Sequence, residues 1–136
     1  MSGGRCLCGA VTFTIEGDPI LGRECWCRDC QYLSSGGATH TVFLRTEQLS
    51  WEGEVRWYES PADSGNVLAR GFCPVCATDL FVQSHARRHL IGVRMGALDD
   101  TGLAPPSSAI WTGSAPAWAC IDPALPQVER QPPPLG

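Results

Sequence analysis

The sequence predicts an all-β domain built as two packed sheets, with metal-binding loops gathered at one end. Three observations carry this. Short segments rich in β-branched and aromatic residues recur along the chain, glycine- and proline-bearing turns separate them, and the cysteines cluster where such turns fall.

The segments run as follows. Val11-Thr12-Phe13-Thr14-Ile15 alternates apolar and polar residues with period two, as a half-buried strand does. Thr41 to Leu44 and Val55 to Tyr58 are similarly rich in strand formers. Asn66 to Phe72, Leu80 to Val82, Leu90 to Val93 and Ala109 to Trp111 complete the set. Glu16-Gly17-Asp18-Pro19 and Glu52-Gly53-Glu54 are turn signals between strands. Arg28 to Ser35 and Thr46 to Leu49 read as single helical turns. From Ala117 to Gly136 the chain is proline-rich, which predicts an extended arm lying on a single domain that spans residues 1–136.

Composition narrows the function. A chain of 136 residues can bury a core without covalent staples. No apolar run approaches the roughly 20 residues of a membrane span, and the N-terminus has neither the basic nor the apolar region of a secretion signal. The expectation is a cytoplasmic protein, where thiols stay reduced. All ten basic residues are arginine, and fourteen acids set the formal charge at -4. Seven thiolates holding two divalent ions would take it to about -7. Nucleic-acid binding needs a surplus of cations, so neither DNA nor RNA is expected as a partner.

The eight cysteines then become the informative feature. Cys6-Leu7-Cys8 is a C-x-C, Cys25-Trp26-Cys27-Arg28-Asp29-Cys30 is a fused C-x-C-x-x-C, Cys73-Pro74-Val75-Cys76 is a C-x-x-C, and Cys120 stands alone. A C-x-x-C in a tight turn aims two sulfurs at one ion, and a C-x-C in an extended strand puts both on one face. Four thiolates saturate a tetrahedral zinc, whereas three leave a position for water or substrate. The natural partition is a closed site from Cys6, Cys8, Cys73 and Cys76, and an open one from Cys25, Cys27 and Cys30. Two zinc ions are thus expected, one structural and one catalytic and labile. Four disulfides, an iron–sulfur cluster and a thioredoxin-like redox pair are the competing uses. Compartment, spacing and the lack of a βαβ pattern weigh against each in turn. Cys120, in an apolar run, reads as a small buried hydrophobe.

These motifs, with Gly9-Ala10-Val11 after the first pair, Arg70-Gly71-Phe72 before the last and Gly96-Ala97-Leu98-Asp99-Asp100 beyond it, resemble the glutathione-dependent formaldehyde-activating enzyme family, also called the centromere protein V domain. The resemblance spans nearly the whole chain. It implies a β-tent fold, shared with Rab-binding chaperones and zinc-containing methionine sulfoxide reductases. It also implies the same split into structural and catalytic zinc ligands. The implied activity is that of a carbon–sulfur lyase, with a thiol such as glutathione activated for addition to a small aldehyde. A non-catalytic β-tent module that binds a protein partner is the alternative.

Two positions depart from the family pattern. Ala77 stands where glycine is common, which predicts a different turn or strain. Trp26 is bulkier than its counterparts and is expected to wall one side of the open site. Among other groups, Asp29 reads as a turn former, and Arg28 and Arg70 are candidates for a glutathione carboxylate. His40 is a better candidate fourth ligand than His85 or His89. Trp51, Trp57, Trp111 and Trp118 read as core aromatics.

Overall fold

A computed structural model describes residues 1–136. The strands are β1 (Ser2–Arg5), β2 (Thr12–Ile15), β3 (Leu21–Cys25), β4 (Thr39–Arg45), β5 (Leu49–Glu52), β6 (Arg56–Pro61), β7 (Val67–Phe72), β8 (Asp79–Ser84), β9 (Leu90–Arg94), β10 (Pro106–Ile110) and β11 (Gln127–Val128). One short helix, α1 (Arg28–Leu33), and single 3-10 turns at Thr46–Gln48, Met95–Ala97 and Thr112–Ser114 are the helical content. The fold is all-β in two sheets, as expected. A three-stranded sheet runs β1-β2-β5 and an eight-stranded one runs β11-β10-β3-β4-β9-β8-β7-β6. The larger sheet is more extensive than two small antiparallel sheets would require. Its strand β10 lies parallel to both β3 and β11.

Each segment read as a strand from sequence falls on an observed strand, and both helical turns are present. Strands β1, β3, β5 and β11 were not anticipated. Two of them carry glycine where another chain segment crosses closely. A Cβ on Gly4 would meet Ala97 O at 2.0 Å, and one on Gly22 would meet Ala104 O at 2.1 Å. Glycine lowers strand propensity, but here it admits backbone that no other residue would.

The core lies between the sheets. Phe13, Ile15 and Leu49 of the smaller sheet pack with Val42, Leu44, Leu80, Phe81, Ile91 and Val93 of the larger. The rings of Phe13 and Phe81 meet edge to face, 5.5 Å apart. Register fixes what the large sheet's other face presents. Val42 pairs with Gly22 and Val93, and Leu44 with Ile91, so these point into the core. The alternate residues, Arg23 beside Thr41 and Arg94, and Cys25 beside Thr39, must then point to the opposite face. That face is the floor of a cavity of about 180 Å³.

Beyond Ser114 the chain returns to the edge of the large sheet and then to this cavity. Strand β11 pairs with β10 through Ala109 and Ile110. Gln131, Pro133, Pro134 and Leu135 then form part of the cavity wall. No helix is long and apolar enough to cross a membrane.

Gly4→Ala must displace either the Ala97 carbonyl or the Phe13 ring, whose Cζ lies 2.6 Å from the added Cβ. We expect a loss of about 1–3 kcal/mol in unfolding free energy, read as a lowered urea midpoint at unchanged slope.

Candidate metal centres

The first cysteine cluster is assembled from two turns far apart in sequence. Between β1 and β2, the Val11 N–H donates to Cys6 Sγ at 3.3 Å and the Ala10 N–H to Cys8 Sγ at 3.4 Å. Between β7 and β8, the Val75 N–H donates to Cys73 Sγ at 3.4 Å. Each turn therefore folds backbone donors onto sulfur, an arrangement that favours the thiolate. Thr78 ties the turns together: its Oγ1 accepts the Leu7 N–H at 3.0 Å and lies 3.1 Å from Cys76 Sγ. That hydrogen bond is the main cause holding the Cys76 thiol down at about 5.

The four sulfurs lie within 4.8 Å of one another. Cys6 Sγ to Cys8 Sγ is 3.6 Å and Cys8 Sγ to Cys73 Sγ is 3.8 Å. A tetrahedron with metal–sulfur bonds near 2.3 Å has edges of about 3.8 Å, so the donor set fits a tetrahedral ion. These separations are far too long for disulfides, and all eight cysteines are free. Cys6 and Cys73 are fully buried and belong to the core.

The second cluster is built locally. Cys25 ends β3, and Cys27 caps α1, accepting the Cys30 N–H on its sulfur at 3.3 Å. The sulfurs of Cys25, Cys27 and Cys30 again lie within 4.8 Å of one another. Their protons are unequally shared: hydrogen bonds from Cys25 and then Cys27 hold Cys30 far down, while those with Cys27 and Cys30 push Cys25 far up. Three converging, partly desolvated thiols resist ionising together unless a cation neutralises them, which is what a divalent metal would do. Unlike the first cluster, all three line the cavity.

Gln31 anchors this loop. It is buried, and its Nε2 donates to Trp26 O at 2.8 Å and to Ser114 O at 3.0 Å, fastening α1 to the chain beyond β10. Nearby, Arg94 Nε donates to Asp79 Oδ2 at 2.9 Å, and its Nη1 donates to Thr41 Oγ1 at 2.7 Å. Gln31 and Thr78 were not singled out from sequence, because only the folded chain brings each beside its cluster.

Several sequence expectations are corrected here. His40 points to the face opposite the triplet, where its Nε2 lies 3.3 Å from Glu24 Oε1. His85 pairs with Glu59 at 3.2 Å, and His89 Nε2 lies 2.7 Å from Gly136 O. No histidine joins either cluster. Trp26 walls nothing in the open site. It is buried on the Glu24 face and donates Nε1–H to Glu24 Oε2 at 2.7 Å. Asp29 lies 3.4 Å from Arg70 Nη2, and Arg70 lines the cavity. Arg28 is exposed, bonded to Gln31 and stacked on Tyr32. Trp51 and Trp57 do pack with Phe81. Trp111 instead lines the cavity, and Trp118 is 68% exposed. Cys120 is exposed rather than buried.

Ala77 adopts the glycine-type turn at φ 65°, so strain rather than a different turn is the outcome. Its N–H donates to Cys73 O at 2.8 Å, closing the C-x-x-C turn. An L-residue in this region costs about 1–2 kcal/mol. Ala77→Gly should therefore raise stability by about 1 kcal/mol, checked by denaturant unfolding of the metal-loaded protein.

Residues 1–114 match the model of the glutathione-dependent formaldehyde-activating enzyme family. A comparison with curated proteins returned no match. Among solved structures, the crystal structure of a Rhodobacter sphaeroides protein aligns at a TM-score of 0.58 and 20% sequence identity, covering 72% of this chain and 88% of that one. A likeness at that identity speaks for the fold alone. The match over most of the sequence, with two cysteine clusters able to hold metal ions, is decisive: the chain belongs to the glutathione-dependent formaldehyde-activating enzyme family.

Proposed function

We propose that this protein is a zinc-dependent carbon–sulfur lyase-like enzyme that joins a thiol, glutathione or a relative, to a small aldehyde. The observation that carries this reading is the unequal placement of the two clusters. Four sulfurs close around one point beside the core, while three converge on the floor of a cavity. In this reading Cys6, Cys8, Cys73 and Cys76 hold a structural zinc. Cys25, Cys27 and Cys30 hold a catalytic one with a position left open.

A zinc ion held by the three thiolates would leave one position open and would lower the pKa of a thiol bound there. The remaining work falls to the chain. Cys27 at the start of α1 and Cys25 at the end of β3 orient the donor set, held by the Gln31 hydrogen bonds. Phe43, Leu68 and Ile110 line part of the cavity and limit water around the reacting sulfur. The sulfur attacks the aldehyde carbon, a C–S bond forms, and the carbonyl π pair moves to oxygen. That oxygen takes up the equivalent of the proton the thiol lost, giving a hemithioacetal. A cytoplasmic setting, with abundant reduced thiols, suits this chemistry.

Metal analysis of wild type and Cys27→Ser, with and without glutathione, tests the reading. About two zinc per chain are expected for wild type, and about one for the variant with folding retained. Glutathione should perturb or displace the second ion only. If Cys27→Ser unfolds the protein as badly as Cys73→Ser, the division into structural and catalytic sites is wrong.

A further inference from the structure

Two buried guanidinium atoms have no hydrogen-bond partner, Arg23 Nε and Arg70 Nε. Both residues line the cavity that holds Cys25, Cys27 and Cys30. Folded interiors rarely leave such atoms unpaired, and their coincidence at one cavity points to a ligand. An arginine N–H only donates, so what is missing beside Arg23 and Arg70 is an acceptor.

The charges sharpen this. Arg23, Arg70, Arg87 and Arg94 line the cavity, against one acidic side chain, Asp63. Four of the ten arginines thus gather around one cavity in a chain of formal charge -4. Two are already matched, Arg70 by Asp29 at 3.4 Å and Arg94 by Asp79 at 2.9 Å. Neither Arg23 nor Arg87 has an acidic side chain within ion-pairing reach. Arg23 is half-buried, with its guanidinium 5.5 Å over the ring of Phe43. A guanidinium held against an aromatic face, with its edge free of carboxylate, is preorganised for an oxyanion.

Position supplies the rest. Arg23 and Cys25 are two residues apart on β3, so they project from the same face with backbones about 7 Å apart. Phe43 pairs with Leu21, so the guanidinium leans along β3 away from Cys25. We propose that Arg23 is the specificity-determining residue of the triplet site, and that it selects a thiol carrying a carboxylate on a peptide-sized body. The carboxylate binds Arg23 while the sulfur reaches Cys25, Cys27 and Cys30. This inference rests on the thiol-binding reading of the triplet.

Calorimetric binding of glutathione and of its diethyl ester to the zinc-loaded protein tests it, with Arg23→Gln and Arg23→Lys compared to wild type. Wild type should bind the free acid at least about tenfold more tightly than the ester, the size of one charge-assisted hydrogen bond. Arg23→Gln should erase that preference with ester binding unchanged, and Arg23→Lys should restore part of it. Equal binding of acid and ester by wild type overturns the role of Arg23 while thiol binding stands. An equal loss for both ligands in Arg23→Gln also overturns it, since the arginine would then serve the thiolates. Binding of neither ligand by wild type rejects the thiol-binding reading itself, and the Arg23 inference with it.

Discussion

Side-chain alternation in β3, β4 and β9 is the constraint on which the rest of the molecule depends. Because successive residues point to opposite faces, a strand that buries one set must present the other. Val42, Leu44, Ile91 and Val93 are committed to the core, and that commitment sets Thr41, Phe43, Gly92 and Arg94 on the cavity floor. A slip of one residue in the β3–β4 pairing could set Arg23 directly against Val42 on one face, so that either the arginine would enter the core or the valine the cavity. Hydrophobic burial and the chemistry of the site are thus fixed by a single choice of register.

The two cysteine clusters solve different problems with the same atoms. The cluster of Cys6, Cys8, Cys73 and Cys76 joins the turn after β1 to the turn after β7, so it links the small sheet to the large one. An ion held there would close a long loop, where a cross-link removes most chain entropy, and Cys6 and Cys73 are fully buried beside it. Cys25, Cys27 and Cys30 span six residues and link almost nothing. Their value lies in where they sit, at the end of a strand whose outward face is already polar.

Much of this was legible in the sequence. The cysteine spacing identified both groupings, and the β-branched runs located strands β2, β4, β6, β7, β8 and β9 and the end of β10. Strands β1 and β3 escaped because Gly3, Gly4 and Gly22 dilute the pattern, and their reason for being glycine lies in chain segments far away. Missing β3 also hid Arg23, which alternation would otherwise have set on the face of Cys25. The errors at His40 and Trp26 share one cause. Both turn on the face that Glu24 occupies, and a residue's face cannot be read until its strand and register are known. Cys120 and Trp118 misled differently, because an apolar run near a chain end suggests burial that the extended backbone there does not provide.

The arm from Gln131 to Leu135 walls the cavity, yet it lies beyond the residues that match the family model. The sulfurs and the roof over them therefore belong to separable parts of the molecule. Residues on the sheet answer to the core on their reverse side, so few of them can change without cost to folding. The arm answers to no such partner face. The shape of the cavity is thus open to alteration at its rim while the cysteine-bearing floor stays tied to the core, which places adaptability and constraint in different stretches of one chain.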